Sequence, residues 1–291
     1  MKKQNKTSKK LGQNKLGFSL IELSIVILVI GILVIGITKG GAIMNKAKVS
    51  SAQTVSQSSP VNFTNNLVAW YEPVSVSSFD PDQALDGVTI TVWNDNSPRG
   101  NLDASSDDSA TYTEASINGL PAITFSGDDQ FEFSSNAFNQ RQYTFFVVER
   151  RSADNDIRFL NIGDNTFGYT NGTTLGSSAN NATSTVSAFV AGRLAPRIST
   201  FVSDSVSRRV YNNGVAGDSS VPGTGTEDTT ALNEVLTTTT AVDNINIGNN
   251  SYNGDIAEVI LFNRGLKVTE RNEIQEYLSK KYGISVVAST N

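Results

Sequence analysis

The 291-residue sequence contains neither cysteine nor histidine. Without cysteine the chain cannot form a disulfide framework, and without both it cannot build the metal sites that depend on those side chains. A Ser-His-Asp triad and histidine acid–base catalysis are excluded for the same reason. The chain therefore lacks the groups on which most catalytic and metal sites depend.

Positive charge is scarce beyond the N-terminus. Lysine and arginine total 23 against 28 aspartates and glutamates, which gives a net charge of −5. Residues 1–17 hold six lysines and no acidic residue, so their removal would change −5 to −11. Because an acidic surface lacks the basic footprint of a nucleic-acid binder, we expect no nucleic-acid partner.

One long apolar run stands near the N-terminus. Phe18 to Ile37 is twenty residues with a single charge, Glu22, and as a helix it would be about 30 Å long, enough to cross a membrane. It is longer than a signal-peptide core, and no A-x-A-like cleavage site follows it. The lysines before it place the N-terminus in the cytoplasm and the rest of the chain on the far side. They are Lys2, Lys3, Lys6, Lys9, Lys10 and Lys15.

A carboxylate within such a run is costly unless it has a partner, so Glu22 indicates function. If the chain is cut after Gly17, Phe18 becomes a new N-terminus and Glu22 its fifth residue, one helical turn away. The carboxylate could then neutralise the amine of its own chain or of a neighbour.

The sequence GFSLIEL at 17–23, preceded by a basic leader, resembles the class III leader of type IV pilins and pseudopilins. The resemblance implies cleavage after Gly17 by a membrane-embedded prepilin peptidase, N-methylation of Phe18, and assembly with other pilin subunits guided by Glu22. The alternative is a simple membrane anchor in which Glu22 has no function. Many pilins carry a proline about twenty residues after the cut, where Lys39 and Gly40 stand here, so the bend of the helix stays open.

We predict five segments along the chain. Residues 1–17 are the leader, 18–57 the membrane and filament helix, 58–66 a linker, 67–285 a β-sandwich and 286–291 a tail. Residues 49–66, rich in Ser, Gln and Asn, favour a linker to a separate domain. The alternative is a helix that packs firmly along the globular domain.

The region from Leu67 onward has the pattern of short strands between Gly, Asn, Asp and Ser clusters. About ten strands after a single helix predict a mainly β fold, a two-sheet antiparallel jelly-roll sandwich. Asn213-Gly214 indicates a hairpin turn. The predicted strands are Leu67–Tyr71, Thr89–Asn94, Ala122–Ser126, Gln130–Ser134, Tyr143–Arg150, Ile157–Ile162, Ser184–Ala191, Arg197–Ser203, Ser207–Tyr211, Ala241–Ile247 and Gly254–Phe262.

A short C-terminal helix should close the domain. Thr269 is a suitable N-cap, Glu270 lies in the first turn and Gly283 ends the helix. Ile274, Tyr277, Leu278 and Tyr282 fall on one face, which we expect to lie on the sandwich.

Four sequence segments, in this order along the chain, resemble the concanavalin-like and laminin-G-like jelly rolls of bacterial surface proteins. They are LVAWYE, TITVWNDNSPRGNLDA, INGLPAITFSGDDQFEF and NGDIAEVILFNRGLKVTERNEIQEYLSKKYGI. The resemblance covers 67–284 and implies the fold much more than the function, because this fold hosts lectins, adhesins and spacers.

Catalysis is not expected. Paired carboxylates for glycoside hydrolysis must share a face at ~5–9.5 Å. Asp255 and Glu258 are three apart on a predicted strand and should point to opposite faces. We therefore predict that the chain is not an enzyme.

No cofactor is expected, with calcium as the alternative. The weak calcium candidates are Asp95, Asp103, Asp128 and Asp129, with solvated turns as the competing interpretation. The aromatic residues Trp70, Trp93, Tyr71 and Phe79 could form a sugar-stacking platform or, as in most sandwiches, belong to the core. Tyr112, Tyr169 and Tyr252 are further exposed candidates whose positions the sequence does not give.

Together these patterns predict a pilin-like subunit, minor or at the tip, of a type IV pilus or a type II secretion pseudopilus. It would be inserted in the bacterial inner membrane as a precursor and then displayed in the periplasm or at the cell surface. Its sandwich would bind a glycan or another surface and serve adhesion. The alternative is a singly anchored surface lectin or spacer that does not polymerise.

Overall fold

The computed structural model describes most of the chain from Ser19 to Ser289. The described residues are 19–106, 110–135, 137, 142–152, 157–163, 165–170, 174–179, 186–189, 195–204, 208–216, 242–248 and 252–289, and the backbone alone is described for 35–39, 42, 157, 170, 174, 178–179, 186–189 and 242–244. The chain divides into two compact units, Met1–Met44 and Asn45–Asn291.

A helix of 38 residues, α1, runs from Leu20 to Gln57. A short 3₁₀ helix, Pro60–Phe63, follows it and is capped by Ser59, whose hydroxyl accepts from the Val61 amide. The only other α-helix of the described residues, α2, runs from Val268 to Tyr282. Strands and loops make up most of the described chain between the two α-helices.

The strands form two sheets in which every recorded pair is antiparallel. This confirms the predicted fold, a two-sheet sandwich between a long N-terminal helix and a short C-terminal one. The strands are β1 Leu67–Tyr71, β2 Val92–Trp93, β3 Ala104–Ser105, β4 Thr111–Ile117, β5 Leu120–Ser126, β6 Phe131–Ser135, β7 Gln142–Arg151, β8 Ile157–Ile162, β9 Asn165–Thr170, β10 Thr174–Ala179, β11 Val186–Phe189, β12 Arg197–Asp204, β13 Arg208–Asn212, β14 Val215–Ala216, β15 Val242–Ile247 and β16 Asn253–Phe262.

The first sheet has the order β14-β13-β12-β7-β16-β5-β4, with β1 also paired to β16. The second has the order β11-β10-β9-β8-β15-β6-β3-β2. The main core lies between them and joins β7 residues Phe145 and Val147 to Phe133 and Ile245 of the second sheet. The sequence-adjacent Phe146 faces the other side of the first sheet, where a second core lies. Because β7 is covered on both faces, its sequence is an apolar run instead of an alternating one.

The second core lies between the first sheet, α2 and the C-terminal end of α1. From α1 it takes Ala52, and from the following segment Val61, both buried. The Gln53 side chain donates to the Val74 carbonyl at 2.8 Å. The end of α1 is therefore packed against the sandwich. This agrees with the alternative interpretation, a helix that packs along the globular domain, and not with a free linker. The small residues of this stretch, which suggested a linker, allow the close approach.

Helix α2 lays Ile274 and Leu278, both completely buried, on the first sheet. Its N-cap is Lys267, two residues before the predicted N-cap, Thr269. The Lys267 amide donates to the Glu270 carboxylate at 3.0 Å, and Arg264 holds that carboxylate with two bonds of 2.8 and 2.7 Å. The first turn is thus fixed by Glu270, and Gly283 ends the helix in the left-handed conformation as predicted.

Asn213 and Gly214 form the predicted turn, with positive φ at both residues, between β13 and β14. The C-terminal segment crosses this turn, and the Val287 amide donates to the Asn213 carbonyl at 2.9 Å. A Cβ added to Gly214 would lie 2.0 Å from the Val287 carbonyl oxygen. Glycine is therefore required here by both conformation and space.

Candidate functional site

Ser19 and Glu22 cap the start of α1. The Ile21 amide donates to the Ser19 hydroxyl at 3.3 Å, and the Ser19 amide donates to the Glu22 carboxylate at 2.8 Å. The carboxylate thus satisfies a donor at the positive end of its own helix. Gly17 and Phe18 lie outside the described residues, so cleavage after Gly17, methylation of Phe18 and the assembly role of Glu22 stay predictions.

The first turns of α1 expose apolar side chains on every side. Each large apolar side chain described from Leu20 to Val34 is at least 49% exposed. A helix that is apolar all round is stable only in an apolar environment, such as lipid or other helices. The surface therefore fits a segment that is buried by a partner or a membrane.

The predicted membrane run extends to Ile37, and the side chains of 35–39 lie outside the description. Within the described residues, no helix reaches the length and apolar character that crossing a membrane requires.

A buried ionic cluster lies where α1, β1, β16 and α2 meet. At its centre is Lys281, whose side chain is completely buried. Its Nζ donates to the Glu258 carboxylate at 2.6 Å, to the Glu72 carboxylate, and to the Tyr277 hydroxyl at 3.0 Å. Two carboxylates thus share one buried ammonium group.

Glu258 is the most enclosed of these groups. Besides Lys281, it accepts from the Trp70 indole at 2.8 Å, the Tyr277 hydroxyl at 2.8 Å and the Tyr282 hydroxyl at 2.9 Å. Burial raises the pKa of Glu258, and the neighbouring ammonium acts in the opposite direction. The hydrogen bonds from these donors compensate for the loss of solvation, and they explain why a carboxyl group is tolerated in the interior.

Glu72 lies nearer to solvent. It accepts from the Ser56 hydroxyl at 2.6 Å, which ties the last turns of α1 to β1. It also lines an open cavity of about 260 Å³ together with Gln53, Trp70 and Asn96. The cluster is therefore connected to the surface on the Glu72 side.

The prediction that Asp255 and Glu258 point to opposite faces is wrong. The register of β16 against β7 shifts between Ile256 and Glu258, so one extra residue lies between the two acids. This β-bulge turns both side chains to the α2 side of the sheet. Each is already engaged, Glu258 by Lys281 and Asp255 by the Arg150 guanidinium at 2.6 Å.

The calcium candidates accept hydrogen bonds from nearby backbone. Asp95 accepts from the amides of Trp70 at 3.0 Å and Ser97 at 2.9 Å, and Asp103 accepts from the Asp95 amide at 2.9 Å. Asp129 is buried and accepts from the Ser126 amide at 2.6 Å, next to an exposed Asp128. Such bonds are typical of turns. Among the described residues, no group of three or more acidic side chains could hold a metal ion.

The aromatic candidates for a sugar platform all belong to the interior. Trp70, Trp93, Tyr71 and Phe79 are buried, and Trp93 packs edge-on against Phe131 at 5.9 Å between ring centres. The three tyrosines expected at the surface are also buried, which corrects that expectation; they are Tyr112, Tyr169 and Tyr252. The side chains at these positions stabilise the sandwich.

A second buried carboxyl group, Glu149, was not singled out by the sequence. It lies between the sheets and accepts from the hydroxyls of Tyr252, at 3.0 Å, and Tyr169. Burial raises the pKa of Glu149, whereas Arg197 and Arg151 act in the opposite direction. A charge at the end of the apolar β7 run was the only sequence signal for this group.

The outer face of the second sheet carries a row of polar side chains in register across five strands. Cross-strand pairing places these residues side by side. They face outward, because their neighbours in the sequence point into the core. The amide oxygens of Asn161 and Asn246, on side chains that lie next to each other, are buried and accept no hydrogen bond from a described residue. The row consists of Ser105, Glu132, Asn246, Asn161 and Thr166, and we call it the polar row.

Comparison with known proteins gives different matches for the N-terminus and for the sandwich. The prokaryotic N-terminal methylation motif matches residues 12–38, so the chain carries a prepilin-type N-terminus. No curated protein matches the sequence.

Solved structures resemble the sandwich. Trypanosoma rangeli sialidase in complex with sialic acid is 14% identical with a TM-score of 0.50, over 78% of this chain and 34% of that one. Domain 4 of a GH43 extracellular arabinanase from Geobacillus stearothermophilus, in complex with arabinotriose, is 15% identical with a TM-score of 0.47, over 75% and 98%. The chain spans about a third of the length of the sialidase. At this identity the likeness to the sialidase shows a shared β-sandwich fold and nothing of its activity.

Proposed function

We propose that this chain is a pilin-like subunit of a type IV pilus or type II secretion pseudopilus. In this proposal it enters the inner membrane as a precursor, is cleaved after Gly17, is methylated at Phe18, and displays a binding sandwich outside. The observation that carries the proposal is the methylation motif over residues 12–38. The apolar surface of α1 and the position of Glu22 in its first turn support it.

Replacing Glu22 distinguishes a filament subunit from a singly anchored protein. Glu22→Ala should abolish incorporation into filaments while the precursor is still made and cleaved, because the assembly carboxylate is missing. Ser24→Ala is the matched control, since the Ser24 hydroxyl donates within its own helix, to the Ile21 carbonyl at 2.8 Å. Equal surface display of both variants would favour the singly anchored lectin or spacer.

We also propose that the subunit is a minor or tip component. The unit from Asn45 to Asn291 is large for a subunit repeated along a filament. Immunogold labelling should then be sparse or confined to filament ends. Uniform labelling along the shaft would contradict this role.

We propose further that the sandwich binds and does not catalyse. Of the described acids on the α2 side, Asp255 is engaged by Arg150 and Glu258 by Lys281, so these two do not form a poised carboxylate pair. The polar row places amide, hydroxyl and carboxylate side chains on the outer face of the second sheet, and side chains of these kinds recognise sugar hydroxyls. A glycan or another polar surface is therefore the proposed ligand.

A glycan array with a fragment from Asn45, with calcium and with chelator, tests this proposal. The fragment begins at Asn45 because Ala52 and Ser56 pack on the sandwich. Binding should be lost in the Asn161→Ala/Asn246→Ala double variant. Asn272→Ala, on α2, is the matched control and should bind normally. A folded fragment that binds nothing would favour the spacer, and binding that the chelator abolishes would support calcium.

A further inference from the structure

The ionic cluster around Lys281 brings an amine and two carboxyl groups into direct contact in a buried site. The Lys281 and Glu258 side chains are completely buried and that of Glu72 is 5% exposed. Aromatic side chains enclose the group, with the Lys281 ammonium 5.2 Å from the Tyr282 ring centre. The amine and the two carboxyl groups therefore lie in contact within a largely apolar shell.

In water an amine and a carboxylic acid do not condense, because both are ionised and solvated. Burial strips most of the solvation from both groups, which is the first condition for condensation. Holding the two groups in contact raises their effective molarity to the order of 10⁵–10⁸ M in well-oriented cases. Both conditions for condensation are met at Lys281.

We propose that Lys281 and Glu72 form an intramolecular amide bond, with Glu258 as the proton carrier. The bond would join Lys281 Nζ to Glu72 Cδ. It would link β1 to α2 across 209 residues of sequence.

The step balances without a further reactant. Glu258 passes a proton from the Lys281 ammonium to a Glu72 carboxylate oxygen, and the neutral Nζ attacks Glu72 Cδ. Glu258 then carries a second proton from Nζ to the departing hydroxyl of Glu72. The C–O bond breaks, one water leaves, one hydrogen stays on the amide nitrogen and Glu258 ends as it began.

The surroundings assign the two glutamates to different roles. Glu258 is held by four donors and touches Nζ, which suits a fixed acid–base group. Its raised pKa allows it to carry a proton. Glu72 faces the open cavity, through which the water can leave, and the Ser56 hydroxyl at 2.6 Å can stabilise charge on its oxygen. Glu72 is therefore the acyl group and Glu258 the catalytic residue.

The bond would supply a covalent link in a chain that has no cysteine. A cross-link that closes a long loop stabilises mainly by restricting the unfolded chain. The last turns of α1 would share in this, because Ser56 is bonded to Glu72.

Mass spectrometry of the purified full chain tests the proposal. The intact mass should be lower than the sequence mass by one water, about 18 Da, since the modification is a condensation. Trypsin should then yield a branched peptide that joins residues 49–99 to 281–291, because neither segment has an internal cleavage site once Lys281 is blocked.

Three variants locate the chemistry. Lys281→Met should lose the mass difference, whereas Lys280→Met, at an exposed neighbour, should keep it. Because Lys281→Met removes the partner of two buried carboxyl groups and can fail to fold, Glu258→Gln is the second variant. It keeps the shape of the site and should give a folded, unlinked chain.

Each outcome of these measurements either supports or contradicts the proposed amide bond. The branched peptide in the unaltered protein and its absence in folded Glu258→Gln would support the proposal. A folded, unaltered protein with the full sequence mass would overturn it. A branched peptide that persists in Glu258→Gln would overturn the role of Glu258.

Discussion

Tyr282 offers a direct measure of how much the buried cluster contributes to stability. Its side chain is 1% exposed, and its hydroxyl donates to the Glu258 carboxylate at 2.9 Å. Burial raises the pKa of Tyr282, so the hydroxyl keeps its proton. Tyr282→Phe leaves the ring in place and removes one of four donors to a buried acid.

The magnitude follows from the charge of the acceptor. A hydrogen bond to a charged group contributes about 1.5–3 kcal/mol. For a unit of this size, 1 kcal/mol shifts the melting temperature by about 2–4 °C, so a fall of roughly 3–12 °C is expected.

The assay is thermal and urea unfolding of the fragment from Asn45. Tyr112→Phe is the matched control, because the Tyr112 side chain is also buried and its hydroxyl bonds to no described residue. Its free energy of unfolding should change by less than about 0.5 kcal/mol. Equal losses in both variants would refute the reasoning, since the effect would then come from removing any tyrosine hydroxyl.

Three further predictions concern packing, the C-terminal turn and pH. Ile274→Ala should lower the free energy of unfolding by about 2–5 kcal/mol, because it empties a fully buried contact between α2 and the sheet; unchanged urea midpoints would contradict it. Gly214→Ala should destabilise the turn by more than about 1 kcal/mol, since its Cβ would collide with Val287, and faster proteolysis of the C-terminal segment should report it. Glu149 has a raised pKa in the folded state, so its contribution to stability is fully present below the ordinary value of 4.5 and is lost as the pH rises through the folded value. Urea midpoints measured across this range should therefore vary less with pH in Glu149→Gln, and identical profiles would contradict the assignment.

The elements of the fold that could be predicted from the sequence are those with a local sequence pattern. The apolar run of β7, the Asn213-Gly214 turn and the apolar face of α2 each follow from sequence spacing, and the structure confirms them. Strands such as β4, whose sequence TYTEASI carries Glu and Ser, were missed. They form because a neighbouring strand supplies their hydrogen bonds, and this information is not local.

The candidate sites depend on long-range contacts. The bulge that aligns Asp255 with Glu258 is a change of register against β7, which no spacing along one strand reveals. Lys281, Glu72 and Glu258 meet only after three elements pack together, so their sequence positions gave no signal. The N-terminal motif is the opposite case, because its residues are consecutive and processing acts on the sequence itself.

The measurement that tests the central claim most directly is the mass of the N-terminal peptide from assembled filament material. A prepilin-type subunit should give a mature chain that begins with N-methylated Phe18. An intact leader in assembled material, or a terminus beyond Ile37, would contradict the proposed function.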